Sequence, residues 1–254
     1  MKNLRLQLWE VVYPIIIYWI VFFLAGLIVQ NLFQFGDKDY MIMQSMIELA
    51  CIPVVAYFYK MTQKPPKRKA HNRIPEAAAV IAAVCFSVAI NNFIALTPLK
   101  ELSGEFQEIN TLFYSGTLFV EILAAGILAP ITEELLFRGV VQGRIRMVWG
   151  GRIGIIASSL IFGITHFNIV QCIYGTLLGI IFAIIVESTG KVRIAVFCHM
   201  AANVVAIITS ETKIAQWVFS NIIPNIIITV GLTVIGSILL AICIKSTGKS
   251  ETQE

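Results

Sequence analysis

Eight apolar stretches constrain this chain more than any other feature, at residues 9–33, 40–59, 74–96, 112–137, 153–167, 170–186, 192–209 and 222–244. Crossing about 30 Å of hydrocarbon takes roughly 20 mostly apolar residues, and most of these runs have that length. A mean hydropathy of +0.82 lies far above that of a water-soluble domain, and charged residues make up only 13% of the chain. The fold class that follows is all-α: a polytopic membrane helical bundle of about eight transmembrane helices. The shorter runs are candidates for tilted, merged or re-entrant segments. With no repeat and no soluble insert, one membrane domain is expected. It divides into two leading helices and a basic loop (1–73), a core (74–244) and a polar tail (245–254). Pro65 and Pro66 forbid a continuous helix through the loop. The first run is too long for a signal-peptide core and is read as a retained span.

Lys and Arg set the orientation, because cytoplasmic loops retain positive charge. With the N-terminus inside, the inner segments collect Lys2, Arg5, the cations of 60–73, Arg144, Arg146, Arg152, Lys191, Arg193, Lys245 and Lys249; the outer ones hold only Lys38, Lys100 and Lys213. Both termini are therefore expected in the cytoplasm, in an integral multi-pass protein of the cytoplasmic (plasma) membrane. The net charge of +4 is explained by topology and by attraction to the lipid bilayer, and no nucleic acid partner is implied. Cys51, Cys85, Cys172, Cys198 and Cys243 all fall within apolar runs and are expected as buried thiols rather than disulfides.

An ionisable side chain within a bilayer costs about 2.5 kcal/mol even on a lenient scale, so each needs a partner, a wet cavity or a role. Glu10 and Glu76 sit near span edges, and Glu48 and Glu121 are expected as packing groups that hydrogen-bond between helices. The segment "APITEELLFRGVVQGRIR" is different. Glu134 and Arg138 are four apart and can pair on one helix face, whereas Glu133 is turned about 100° away and stays available. Taken alone, the stretch also fits two acids that merely neutralise Arg138 and nearby basic loops. Two further runs carry spaced pairs: Phe162 with His166, and His199 with Asn203, the latter placing an imidazole and an amide on one face. At 1.5 Å per residue, Glu133 lies about 16 Å before Arg144, His166 about 21 Å beyond Arg152 and His199 about 9 Å beyond Arg193. The three groups can thus meet in the inner half or middle of one bundle. Gly139 with Gly143, and Gly175 with Gly179, are spaced for close helix packing.

Glu133-Glu134-x-x-x-Arg138, Phe162-x-x-x-His166 and His199-x-x-x-Asn203, in this order on successive apolar helices, resemble the three motifs of the CAAX prenyl endopeptidase and bacteriocin-processing family, also called Abi or CPBP. The resemblance covers about residues 112–209. It implies an eight-helix intramembrane endopeptidase in which Glu133 with His166 holds and deprotonates water. His199 with Asn203 then stabilises the oxyanion, and Glu134 with Arg138 forms the supporting ion pair. It implies a peptide or membrane-protein substrate, prenylated or not, cut at or within the cytoplasmic leaflet. Two other classes stay open: a non-catalytic member acting in bacteriocin self-immunity or as a membrane regulatory scaffold, and a small transporter using Glu133 and His166 as a proton relay. Two histidines and a glutamate can also supply three zinc ligands. The chain has no HExxH, and His71 lies in the basic loop, so metal-free chemistry with no cofactor is the favoured expectation.

Overall fold

The computed structural model describes residues 4–62, 74–210 and 212–248, and these are helical apart from short turns. In hydrocarbon every backbone N–H and C=O must be bonded within the protein, and a helix does this within one segment. The elements are α1 (Leu4–Phe33), α2 (Tyr40–Met61), α3 (Ile74–Ala95), α4 (Gly104–Phe113), α5 (Leu118–Trp149), α6 (Gly151–Ile164), α7 (Ile169–Thr189), α8 (Val192–Ser210), α9 (Lys213–Ser220) and α10 (Ile222–Gly248). Most of the basic loop, with Pro65, Pro66 and His71, lies outside the described residues, as do Lys2 and the end of the polar tail from Lys249.

Six of these helices, α1, α2, α3, α7, α8 and α10, are long and apolar enough to cross a membrane. The two remaining predicted runs differ from simple spans. The run expected at 112–137 begins in a turn: α4 and α5 meet at 116°, the geometry of a broken span or a re-entrant loop, and the described residues hold seven spans if the pair counts as one. Ser115 and Gly116 sit in this break, and the Ser115 hydroxyl donates to the Leu112 and Asp37 carbonyls, which fixes the turn against the loop between α1 and α2. The run expected at 153–167 is α6, only 14 residues long and so about 21 Å. The bundle is all-α and polytopic as the composition requires, and the chain is an integral membrane protein.

Helix α5 is not uniformly α-helical. Its stretches Ile122–Leu128 and Leu135–Val141 are π-helical and flank the α-helical turn Ala129–Glu134 that holds both motif glutamates. Such wide turns are rare and concentrate at functional sites. Gly150, at φ +86°, ends α5 in a backbone conformation that side chains disfavour, and α6 starts at once. Phe167 adopts φ +57° directly after His166, so the chain reverses sharply between α6 and α7.

Two apolar clusters build the interior. Phe182, Ile185, Ala195, Cys198 and Ala202 join α7 and α8 to the alanine face of α3 and to Leu240 and Cys243 of α10. Tyr18, Ile47, Cys51, Val55, Leu136, Phe137 and Phe162 join α1, α2, α5 and α6. Cys51, Cys198 and Cys243 lie in these clusters, Cys85 is buried outside them and Cys172 is half-buried; all five are free thiols. Arg144, read from the sequence as a loop charge, is buried. It donates to the Glu10 carbonyl, the Tyr13 hydroxyl and Thr62 Oγ1, and so fastens α5 to α1 and α2. Arg146 pairs with Glu187 at 3.0 Å, and Lys191 with Glu76 at 2.7 Å, tying helix ends at the same basic side.

Small residues allow the close crossings. A Cβ on Gly163 would collide with Thr176 Oγ1 and stand 2.5 Å from the Cys172 carbonyl, because α6 and α7 touch there backbone to backbone. Gly163→Ala is expected to destabilise the protein by about 1–3 kcal/mol. Thermal unfolding in detergent checks this; a midpoint matching wild type would contradict the packing. Gly179 lies against Arg138 and Phe162, Gly175 against His166, and Gly139 against the Tyr59 ring. The glycine pair of α7 therefore packs directly on motif residues.

Candidate active site

The motif side chains meet at the seam between the two clusters. His199 of α8 is central: its Nδ1 lies 3.0 Å from Glu134 Oε1, and its Nε2 lies 3.7 Å from Glu133 Oε2. A carboxylate only accepts, so Nδ1 carries the proton of this hydrogen bond and Nε2 is the atom turned to Glu133. The Phe182 ring packs on the imidazole at 4.9 Å. Behind it, fully buried, Glu134 pairs with Arg138 at 3.3 Å. The Arg138 guanidinium stacks on the Phe162 ring, 4.6 Å from its centroid, so the charge is balanced by one carboxylate and an aromatic face.

His166 lies in the turn after α6, and its Nδ1 is 2.9 Å from the Phe162 carbonyl. A carbonyl also only accepts, which places the proton on Nδ1 and leaves Nε2 as a lone pair. Phe162 contacts both imidazoles, at 4.9 Å from His166 and 6.0 Å from His199. Asn203 Nδ2 donates to the Ala125 carbonyl at 2.8 Å. Ala125 belongs to the first π-helical stretch, where the i→i+4 bonding is interrupted. One amide N–H is thus committed, and the second is left to other partners.

Glu133, His166, His199 and Asn203 all line one cavity of about 810 Å³, together with Phe162 and Phe182. Glu134 and Arg138 do not reach it and stand behind its wall. The sequence-based division into an available and a satisfied glutamate agrees with this placement, although His199 shares Glu134 with Arg138 and bridges toward Glu133. Phe182 and the Ala125 carbonyl were not foreseen: an aromatic in an apolar run and a backbone oxygen carry no distinguishing signal. Glu48 is buried on α2, as expected of a packing group. Among the described residues, no group of three or more His, Cys, Asp or Glu is arranged to hold a metal ion.

The cavity occupies one half of the bundle. Its walls come from the C-terminal halves of α3 and α8, the N-terminal halves of α7 and α10, and from α4 and α9. The basic segments lie at the opposite ends of those same helices. From Glu133 the cavity extends toward the helix ends away from the basic segments.

Comparison with known proteins falls on this same region. The chain is 29% identical over 87 residues to the "Putative membrane peptidase YdiL" of Bacillus subtilis (strain 168), which covers 34% of this chain and 36% of that protein. The match thus spans about a third of the relative's length. No solved structure matches. The family model for Type II CAAX prenyl endopeptidase Rce1-like proteins matches residues 115–205, the stretch that supplies Glu133, His166, His199 and Asn203 and the ion pair behind them. Over that stretch, about a third of its length, the chain is similar to the Rce1-like family.

Proposed function

We propose that the protein is a membrane-embedded endopeptidase that hydrolyses a peptide bond by glutamate-activated water, without a metal. The observation that carries this reading is that Glu133, His166, His199 and Asn203 line one cavity, with His199 Nε2 3.7 Å from Glu133 Oε2. In this mechanism His166 Nε2 and the Glu133 carboxylate hold the water, and Glu133 takes its proton as the oxygen attacks the carbonyl carbon. The oxyanion receives a hydrogen bond from the free Asn203 N–H and one from His199 Nε2–H. With Nδ1–H committed to Glu134, His199 donates from Nε2 only as the imidazolium, a charge that the flanking carboxylates of Glu134 and Glu133 accommodate. Collapse then breaks the C–N bond, and the proton held by Glu133 passes to the leaving amine.

The separation of 3.7 Å between His199 Nε2 and Glu133 Oε2 exceeds hydrogen-bond length, so both atoms remain able to engage water from the cavity. The substrate is a peptide or membrane-protein segment, prenylated or not, and the protein sits in the cytoplasmic membrane with both termini inside. Asn203→Ala is expected to lower kcat by about 10²–10³-fold with little change in KM, because its donor acts on charge that develops in the transition state. Steady-state kinetics on purified protein checks this, and an unchanged kcat removes Asn203 from the oxyanion site. Metal analysis of the pure, active protein tests the metal-free assignment, which stoichiometric zinc would overturn.

A further inference from the structure

Glu133 has a second acid neighbour that the mechanism leaves unused. Glu48, on α2, is 5% exposed and does not line the cavity. Its carboxyl is hydrogen-bonded to the side chain of Thr132, the residue before Glu133 on α5, and no hydrogen bond reaches its Oε2. The Thr132 hydroxyl, fully buried, already donates to the Leu128 carbonyl at 3.1 Å. A hydroxyl has one hydrogen, so toward Glu48 it offers only lone pairs, and the hydrogen between the two comes from Glu48. Charge balance points the same way. Glu48 acts on Glu133 more strongly than the adjacent Glu134 does, and the titratable groups around it are Tyr18 of α1, Cys51 of its own helix and Glu133. Arg138 is paired with Glu134, and no cation among the described residues pairs with Glu48. An ionised Glu48 would be a buried carboxylate with no counter-charge and one oxygen unbonded, a costlier state than the neutral acid.

We infer that Glu48 is a protonated acid that positions the Glu133 base, donating to Thr132 Oγ1 and so holding in phase the helical turn that carries Thr132 and Glu133. The relay from the Glu48 O–H to Thr132 Oγ1–H to the Leu128 carbonyl crosses from α2 to α5. It ends where the first π-helical stretch gives way to the turn Ala129–Glu134. A small rotation of that turn moves the Glu133 carboxyl relative to His166 and His199, and a misplacement of about 1 Å costs roughly 10²-fold in rate. Glu48 is a positioning residue, since it acts through Thr132 and lies off the cavity. It also lies outside the stretch 115–205, apart from the three motifs. The effect on rate rests on the peptidase reading; the proton on Glu48 does not.

Steady-state kinetics and infrared spectra of the full-length protein in a maltoside detergent test this. Glu48→Leu, which fills the space without a donor, is expected to lower kcat by about 10–10²-fold at unchanged KM. Glu48→Gln, whose amide N–H can donate to Thr132 in place of the acid, should regain most of the lost rate. Thr132→Val keeps the branched shape and removes the acceptor, so it should match Glu48→Leu and serves in its place if leucine prevents folding. In the infrared, wild type and Glu133→Ala should both show a protonated-carboxyl stretch that Glu48→Gln lacks. The Glu133 carboxylate band, identified as the one lost in Glu133→Ala, should shift in Thr132→Val and keep its place in Glu48→Gln. Wild-type kcat in either Glu48→Leu or Thr132→Val, a Glu48→Gln protein as slow as Thr132→Val, or a loss expressed in KM overturns the inference. So does the absence of a protonated-carboxyl band belonging to Glu48. A wild type that hydrolyses no peptide sinks the peptidase reading instead, and the two infrared bands then decide on the positioning by themselves.

Discussion

Glu133→Ala is expected to reduce peptide hydrolysis by about 10³–10⁴-fold, the upper part of the range for a lost general base. The side chain lines the cavity, faces His199 Nε2, and among the motif carboxylates is the one not locked in the ion pair behind the wall. Glu134 cannot replace it, being fully buried and already engaged by Arg138 and His199. Glu133→Gln, which keeps the shape and loses the base, should be nearly as inactive while binding substrate normally. Mass spectrometry of membrane peptides from cells carrying wild type or Glu133→Ala measures the same loss in place and names the substrate. An active, purified Glu133→Ala protein refutes the assignment.

The largest effect on stability is expected from Arg138→Met. The guanidinium and the Glu134 carboxylate are both removed from solvent, and deleting one partner of such a pair leaves the other charge uncompensated. A loss of about 3–5 kcal/mol follows, read from chemical or thermal unfolding in detergent. The double variant Glu134→Gln/Arg138→Met should recover much of it, since glutamine removes the orphaned charge and its carbonyl still accepts from His199 Nδ1. Stability of Arg138→Met within 1 kcal/mol of wild type contradicts the pairing.

The sequence pattern reaches the architecture through apolar run length, and it reaches the site through three short motifs. It does so because a bilayer leaves few places for a charged or imidazole side chain, so each one is informative. The same reasoning does not see the break at Ser115 and Gly116, since composition there stays apolar on both sides and the contact to Asp37 that helps fix the turn is tertiary. Counting helical spacing pairs Glu134 with Arg138 correctly but cannot reveal that His199, 65 residues away, shares that carboxylate. Arg144 and Lys100 were both tallied as loop cations. One is a buried strut between helices and the other part of the cavity wall, distinctions made by tertiary packing alone.

The two π-helical stretches on either side of Glu133 have a consequence for how relatives of this chain diverge. Each wide turn is geometrically a one-residue insertion into an α-helix, and removing that residue restores regular winding and rotates everything beyond it by about 100°. A homologue that lost a residue within 122–128 would swing Glu133 off the cavity wall, and a gain within 135–141 would realign only the helix beyond it, not Glu133 itself. If the proposed chemistry holds, relatives that hydrolyse peptides should lack a net single-residue gap between 122 and 133, whatever happens within 135–141, and such a gap should mark a lineage that kept the scaffold without the site.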